Sequence, residues 1–331
     1  MCRLYTGLKN EEENGMLIVW PEGSGCVQKP QDLDPLKKIG EVAYYDTPPK
    51  DKQELIGRVE NADVIYLDYS ILDAEVLEKC KNLKFICFLG VGYGNCIDME
   101  TANKKGIVVA YTPGYGANSV AEFTLGLILA LIRHIGFAYL SVKGGAWEPN
   151  RFLGLELKGK TLGLVGLGPI GMEMARLGSA VGMKVMAWTR NPDDERKKYG
   201  LEYVSLEELF SGSDVVSIHL SYNAQTERMV SAELLQSMKP EAYFINTARA
   251  KVIDSDALYN LLESGKIAGA ALDVHEEEPA PKDYRFLSLP NVLICPHMAY
   301  NTVEAGENML RIAIATLEAY LKGERLHVVS D

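Results

Sequence analysis

Residues 158–190 constrain the fold more than any other stretch of this chain. An apolar run from Thr161 to Val165 leads into Gly166-Leu167-Gly168-Pro169-Ile170-Gly171. A helical pattern follows, and a second apolar run from Lys184 to Trp188 closes the unit. Ile170, Met174, Leu177 and Val181 recur at about 3.6 residues per turn and are expected to share one face of that helix. Strand, G-x-G-x-x-G, helix, strand is the order a dinucleotide-binding βαβ unit requires. The three glycines serve a tight turn, a close approach of backbone to pyrophosphate, and close packing of helix on strand. The helix N-terminus then offers unpaired N–H groups and a positive dipole end to the phosphates. A glycine-rich turn alone is a weak signal; the flanking strands and helix give this one its meaning.

At 331 residues the chain is long for one hydrophobic core, so two domains are expected. The net charge of −11 argues against nucleic acid or an anionic membrane as a partner. It leaves open a small anionic substrate, which responds to the local field of a cleft. The six cysteines (Cys2, Cys26, Cys80, Cys87, Cys96 and Cys295) form no C-x-x-C pair and no metal-like spacing with the five histidines. Reduced thiols and no metal site are therefore expected. The first 15 residues are polar and acidic, unlike a signal or transit peptide, and read as an extension. The most apolar segment, Leu125 to Ile132, is about eight residues long, far short of a membrane span. A cytoplasmic protein without membrane association is the expectation.

From Met16 the chain alternates short apolar runs with helical patterns. Strands are expected at Met16–Trp20, Glu41–Tyr45, Asp63–Asp68, Lys84–Leu89 and Ile107–Ala110, with helices near 51–60, 72–81 and 98–105, the last capped by Asp98. Such alternation means parallel α/β. Gly90-Val91-Gly92-Tyr93-Gly94-Asn95 follows a strand, where backbone N–H groups could face a ligand or simply make a turn. One long helix is expected from Asn118 to Tyr139, with Ser119 and Glu122 at capping-box spacing. After Trp188 strands are expected at Asp214–Leu220, Ala242–Asn246, Gly269–Val274 and Asn291–Cys295. The helices there fall near 206–211, 231–237 and 254–264, capped in the last two cases by Ser231 and Asp254. A final helix, Val303–Gly323, carries apolar positions at 310, 314, 317 and 321. The domains are expected at 1–117 with 300–331, and at 118–299.

Chemically capable residues gather after three expected strands, where open α/β sheets place ligands. They lie in Asn246-Thr247-Ala248-Arg249, in Asp273-Val274-His275-Glu276-Glu277-Glu278-Pro279, and in Cys295-Pro296-His297-Met298-Ala299. On the ordered pieces GLGPIG, NTAR, ALDVHEEEP and CPHMA, with GVGY upstream, the whole chain resembles the D-isomer-specific 2-hydroxyacid dehydrogenase family. It is most similar to members of the glyoxylate/hydroxypyruvate reductase type.

The resemblance implies two doubly wound parallel-sheet domains, a Rossmann nucleotide-binding domain inserted into a flavodoxin-like substrate domain. It implies an NAD(P)-dependent oxidoreductase that moves a hydride between nicotinamide and a small 2-oxo or D-2-hydroxy acid, with glyoxylate or hydroxypyruvate as substrate. Arg249 would bind the substrate carboxylate and polarise the oxo group. His297 would exchange the proton, and Glu278 would orient its ring and favour its charged form. Val91 and Gly92 N–H groups would bind the carboxylate, and Tyr93 would shape the pocket. Asp273 would meet the nicotinamide carboxamide. Gly166, Gly168, Pro169, Ile170, Gly171, His219, Thr226, Thr247 and Ala248 would line the cofactor cleft, with Arg249 and His297 at its reactive end. A homodimer is implied through helix 118–139 and the arm after it.

Three small departures from the family pattern stand out: Pro169 lacks an N–H, Ala250 follows Arg249 where glycine is usual, and Gly94 replaces an aspartate. A larger one concerns the second strand, which ends Trp188-Thr189-Arg190-Asn191 with no acid until Asp193. NAD-specific members place an acid there for the ribose 2′-hydroxyl, whereas Thr189 and Arg190 suit a 2′-phosphate. That favours NADP(H) over NAD(H). Two rivals share the fold: a nucleotide-sensing co-repressor-like binding protein, and a formate- or phosphite-type dehydrogenase.

Overall fold

The computed structural model describes residues 15–23, 25–193 and 197–330; most of the expected N-terminal extension lies outside them. Twelve strands and eleven α-helices occur among the described residues. The strands are β1 (Leu17–Trp20), β2 (Glu41–Tyr44), β3 (Val64–Leu67), β4 (Phe85–Phe88), β5 (Val108–Tyr111), β6 (Thr161–Val165), β7 (Lys184–Trp188), β8 (Glu202–Tyr203), β9 (Val215–Ile218), β10 (Tyr243–Asn246), β11 (Gly269–Leu272) and β12 (Val292–Ile294). The helices are α1 (Asp34–Lys37), α2 (Lys52–Val59), α3 (Ala74–Lys79), α4 (Met99–Lys104), α5 (Ala117–Ile132), α6 (Ile135–Lys143), α7 (Pro169–Ala180), α8 (Leu206–Gly212), α9 (Ala232–Gln236), α10 (Ser255–Glu263) and α11 (Val303–Leu321). The chain forms two compact units, one ending at Gly116 and resuming at Asn301, the other spanning Ala117–Tyr300.

The first unit holds a five-stranded parallel sheet in the order β2-β1-β3-β4-β5, the flavodoxin-like arrangement. Its inner strands β1, β3 and β4 read as unbroken apolar runs because both faces are buried, and the two-residue side-chain period splits each run between them. Val19, Ile65, Ile86 and Val109 enter one cluster with Leu55 and Val76. Ile18, Val64, Tyr66, Phe85 and Cys87 enter the other, against Met309, Leu310, Ala313 and Leu317 of α11. The buried stripe of α11 is thus rotated from the expected 310/314/317/321, and Leu321 is exposed.

The second unit holds seven parallel strands in the order β12-β11-β10-β9-β6-β7-β8, a Rossmann sheet with an added strand at one edge. Helix α7 packs on it, but not by the expected face. Gly171, Met174, Ala175 and Gly178 are buried, whereas Val181 is exposed and Ile170 and Leu177 are only half-buried. Small residues win because the approach is close: a Cβ on Gly178 would stand 2.6 Å from Leu162 Cδ2. The two-residue edge strand β8 pairs with β7 and was too short to leave a sequence pattern.

The single helix expected over 118–139 is two helices, α5 and α6, bent by 60°. The returning chain ends α5. Leu155 N–H takes the Ile132 carbonyl at 3.2 Å, and His134 turns left-handed with φ 53. Ser119 is not a cap either; it lies inside α5, and its buried hydroxyl donates to Ala299 O at 2.9 Å. Among the described residues no single helix is long and apolar enough to cross a membrane. The apolar character of α5 is accounted for by its buried residues Leu127, Ile128, Leu131 and Ile132.

Candidate active site

The C-terminal edge of the seven-stranded sheet brings the expected residues into register. Reading across β6, β9, β10, β11 and β12, the strand ends carry the glycine turn, His219, Arg249, the 273–278 turn and His297. Adjacent strands lie about 4.8 Å apart, which sets Arg249 and His297 on strand ends roughly 10 Å apart.

At the glycine turn, Gly166 has φ 103, and a Cβ there would meet His219 O at 2.5 Å. A Cβ on Gly171 would stand 2.1 Å from Gly166 O, whereas one on Gly168 would enter open space. The turn is therefore closed on its protein side and open where a phosphate would approach. Pro169 occupies the first position of α7, where the missing N–H has no intrahelical partner to lose. The N–H groups of the next residues remain for an anion. These residues fit a dinucleotide.

His219 lies next to this turn. Its Nε2 pairs with Ser217 Oγ at 2.9 Å, and burial pushes its pKa down to about 4, so the ring is neutral near pH 7. Thr226 is buried, donating to Ser221 O at 2.7 Å and accepting from Asn223 N–H at 2.8 Å, which closes its own loop. Arg190 is exposed at the end of β7 beside half-buried Thr189, and donates to Gln225 Oε1 at 2.6 Å.

Arg249 stands in extended backbone, φ −147, on a turn bracketed by Asn246. The Asn246 side chain accepts from Ala248 N–H at 3.0 Å and donates to Arg249 O at 3.1 Å. Beneath it, Thr247 Oγ1 pairs with buried Thr124 Oγ1 at 3.0 Å; Thr124 donates to Val120 O, so Thr247 is the donor of that pair. The guanidinium is half-exposed, with Nη1 donating to Ala248 O at 2.6 Å.

Glu278 and His297 meet directly, Oε2 to Nδ1 at 2.7 Å. The Nδ1 proton faces the carboxylate, which leaves Nε2 outside this contact. Burial alone would raise the Glu278 carboxyl, but the bonds from His297 and from His275 N–H outweigh it and hold it below the usual glutamate range. His297 sits at φ 52, a left-handed conformation that costs about 1–3 kcal/mol outside glycine. The surrounding residues over-determine it. Asp273, fully buried, accepts from Met298 N–H at 3.0 Å and Ala299 N–H at 2.9 Å. Ser119 holds Ala299 O, and His275 Nε2 holds Cys295 O at 2.8 Å. Burial raises the Asp273 carboxyl, the two N–H bonds only partly offsetting it. Each Asp273 oxygen thus accepts one backbone N–H and keeps a second lone pair.

Ser119, Thr124, Asn246 and His275 are site-building residues that sequence reasoning passed over. Asn246 and His275 lay inside the recognised motifs, but nothing in their spacing shows which carbonyls they hold. Val91, Gly92 and Tyr93 lie in the first unit. Gly92 opens a 3-10 turn over Tyr93–Asn95, and the Tyr93 ring packs on Tyr111 at 5.7 Å.

A Rossmann sheet with a glycine turn open to a phosphate, and a hydrogen-bonded Glu278–His297 pair at the same strand edge, fit a dinucleotide-dependent oxidoreductase. The family model for the D-isomer specific 2-hydroxyacid dehydrogenase NAD-binding domain matches residues 125–299. The chain is 36% identical to a hydroxypyruvate reductase of Blautia hydrogenotrophica, over 92% of this chain and 98% of that protein. It is 40% identical to a glyoxylate reductase of Thermofilum pendens, over 88% of each. Among solved structures, a D-lactate dehydrogenase from Aquifex aeolicus complexed with NAD and lactic acid superposes with a TM-score of 0.80 at 33% identity, covering 93% of this chain and 96% of that one. The chain belongs to the D-isomer-specific 2-hydroxyacid dehydrogenase family. It is an oxidoreductase acting on CH–OH donors and 2-oxo acids, and the binding-protein and formate-type readings are not favoured.

Proposed function

We propose that this protein reduces glyoxylate or hydroxypyruvate to the corresponding 2-hydroxy acid, with NADPH preferred over NADH. The observation that carries the reading is the 2.7 Å Glu278–His297 couple, set on the same strand edge as Arg249 and the glycine turn. Bound nicotinamide supplies a hydride to the carbonyl carbon. The Arg249 guanidinium grips the carboxylate and draws electron density toward the oxo oxygen. His297 Nε2–H gives that oxygen its proton as the C–O π bond breaks, and Glu278 stabilises the imidazolium before transfer. Thr247, Ala248 and the 166–171 turn hold the cofactor. The Val91 and Gly92 N–H groups add to carboxylate binding, as the family resemblance implies. The relatives named glyoxylate and hydroxypyruvate reductase support the substrate class.

Preference for NADPH rests on Arg190, a guanidinium at the end of β7 that suits a 2′-phosphate. A homodimer is part of the same reading. Ile135, Tyr139, Leu140, Trp147 and Leu153 lie on α6 and the arm after it with 56–88% of their surface exposed, a density of apolar side chains suited to a second copy of this chain. The test is turnover of glyoxylate and hydroxypyruvate by the wild type and by His297→Asn and Arg249→Ala. Both variants should lose about a hundredfold or more in kcat/KM while binding NADPH normally. Retained turnover in either would remove that residue from the mechanism.

A further inference from the structure

His275 lies in the turn after β11, between the strand end and Glu278. Its main-chain N–H donates to Glu278 Oε1 at 2.9 Å, and its ring Nε2 lies 2.8 Å from Cys295 O. A carbonyl only accepts, so Nε2 carries the proton. The other ring nitrogen, Nδ1, is buried without a hydrogen-bond partner. The residue is only 8% exposed, and its ring stands edge-on to Tyr284 at 5.3 Å.

Packing by itself does not call for a histidine here. An apolar ring would fill the same slot against Tyr284 without leaving an acceptor stranded, and stranded buried acceptors are costly. What the histidine adds is the Nε2–H bond to Cys295 O, two residues before His297. One residue therefore touches both halves of the couple: its backbone fixes the carboxylate, and its ring fixes the segment that carries the imidazole. Cys295 O is the end of the 295–299 segment that Asp273 and Ser119 do not reach; they hold Met298 and Ala299.

We infer that His275 is a positioning residue for proton transfer, its ring setting the approach of His297 to Glu278 through the Cys295 carbonyl. The inference rests on the reading of Glu278 and His297 as the acid–base couple. In such a role the ring adds nothing to substrate or cofactor affinity, and its loss appears in kcat alone.

The experiment compares wild type, His275→Phe, His275→Gln and His297→Asn in steady-state reduction of glyoxylate by NADPH, together with Tm. His275→Phe removes the stranded nitrogen and also the donor to Cys295 O, two effects of opposite sign, so Tm is expected to change little. It should lower kcat by roughly threefold to tenfold, the reach of one hydrogen bond of ordinary net strength. KM for glyoxylate and for NADPH should stay within about twofold. His275→Gln, whose amide N–H can reach the same carbonyl, should recover most of kcat. The inference is overturned if His275→Phe turns over like wild type, or if kcat and Tm fall together and Gln restores neither. Wild-type turnover by His297→Asn would instead refute the couple itself, which keeps the two failures apart.

Discussion

Replacing Glu278 with glutamine tests the couple with the smallest change of shape. The wild-type carboxylate accepts two bonds at once, from His297 Nδ1–H at 2.7 Å and from His275 N–H at 2.9 Å. An amide has one oxygen to offer. If that oxygen keeps His275, its NH₂ faces His297 Nδ1 and favours the neutral ring. If it keeps His297, two N–H groups face each other at His275. Either way the imidazolium loses its counter-charge. A unit charge pair in contact attracts by about 4 kcal/mol at an effective dielectric of about 20, and partial exposure reduces this to roughly 1–3 kcal/mol. The two side chains here are 34% and 36% exposed, which places them in that reduced range. The expected loss in kcat is roughly fivefold to a hundredfold, with KM nearly unchanged because Arg249 still holds the carboxylate. The assay is NADPH oxidation followed by absorbance across pH. On the acid side the sign of the pH dependence follows from Glu278. Glu278 is held below its ordinary value, so the couple persists where a free glutamate would protonate and is lost only as pH falls through the depressed value. A variant with wild-type kcat would refute the reasoning.

Asp273→Ala should destabilise the protein by about 2–5 kcal/mol in urea unfolding, since the buried Ala299 N–H and the partly buried Met298 N–H lose their acceptor. It should lower kcat as well, because the left-handed His297 segment relaxes; unchanged stability would show that Asp273 does not hold it. Arg190→Ala should raise KM for NADPH at least tenfold while leaving that for NADH within a few-fold, and equal effects on both would place Arg190 away from the 2′-phosphate. Gly171→Ala should abolish NADPH binding in calorimetry, because the new Cβ would stand 2.1 Å from Gly166 O and push the turn open; normal affinity would mean that α7 can retreat at no cost.

Much of this fold was legible because parallel sheets buried on both faces leave long apolar runs, and every strand of four residues or more left such a run in the sequence. The glycine turn was legible because backbone geometry there admits little else. The break between α5 and α6 was not, since Arg133-His134 carries neither glycine nor proline. The cause is a chain segment at 154–155 that docks on the helix end from more than 20 residues away. The α7 face was misread because hydrophobicity marks large side chains, whereas this contact is built by Gly171, Ala175 and Gly178. In the site, Arg249, Glu278 and His297 stood out by motif, but the groups that hold them did not. Ser119 reaches Ala299 across 180 residues and Thr124 reaches Thr247 across 123, separations at which no local pattern survives.

The central claim is that this site transfers hydride and proton to a small 2-oxo acid. A panel of glyoxylate, hydroxypyruvate, pyruvate and phenylpyruvate, each with NADPH and with NADH, measures it in one set of kcat/KM values. Saturable turnover highest with glyoxylate or hydroxypyruvate, and higher with NADPH than NADH, is the predicted result. Absence of turnover with every pair, in protein that binds NADPH, would contradict it.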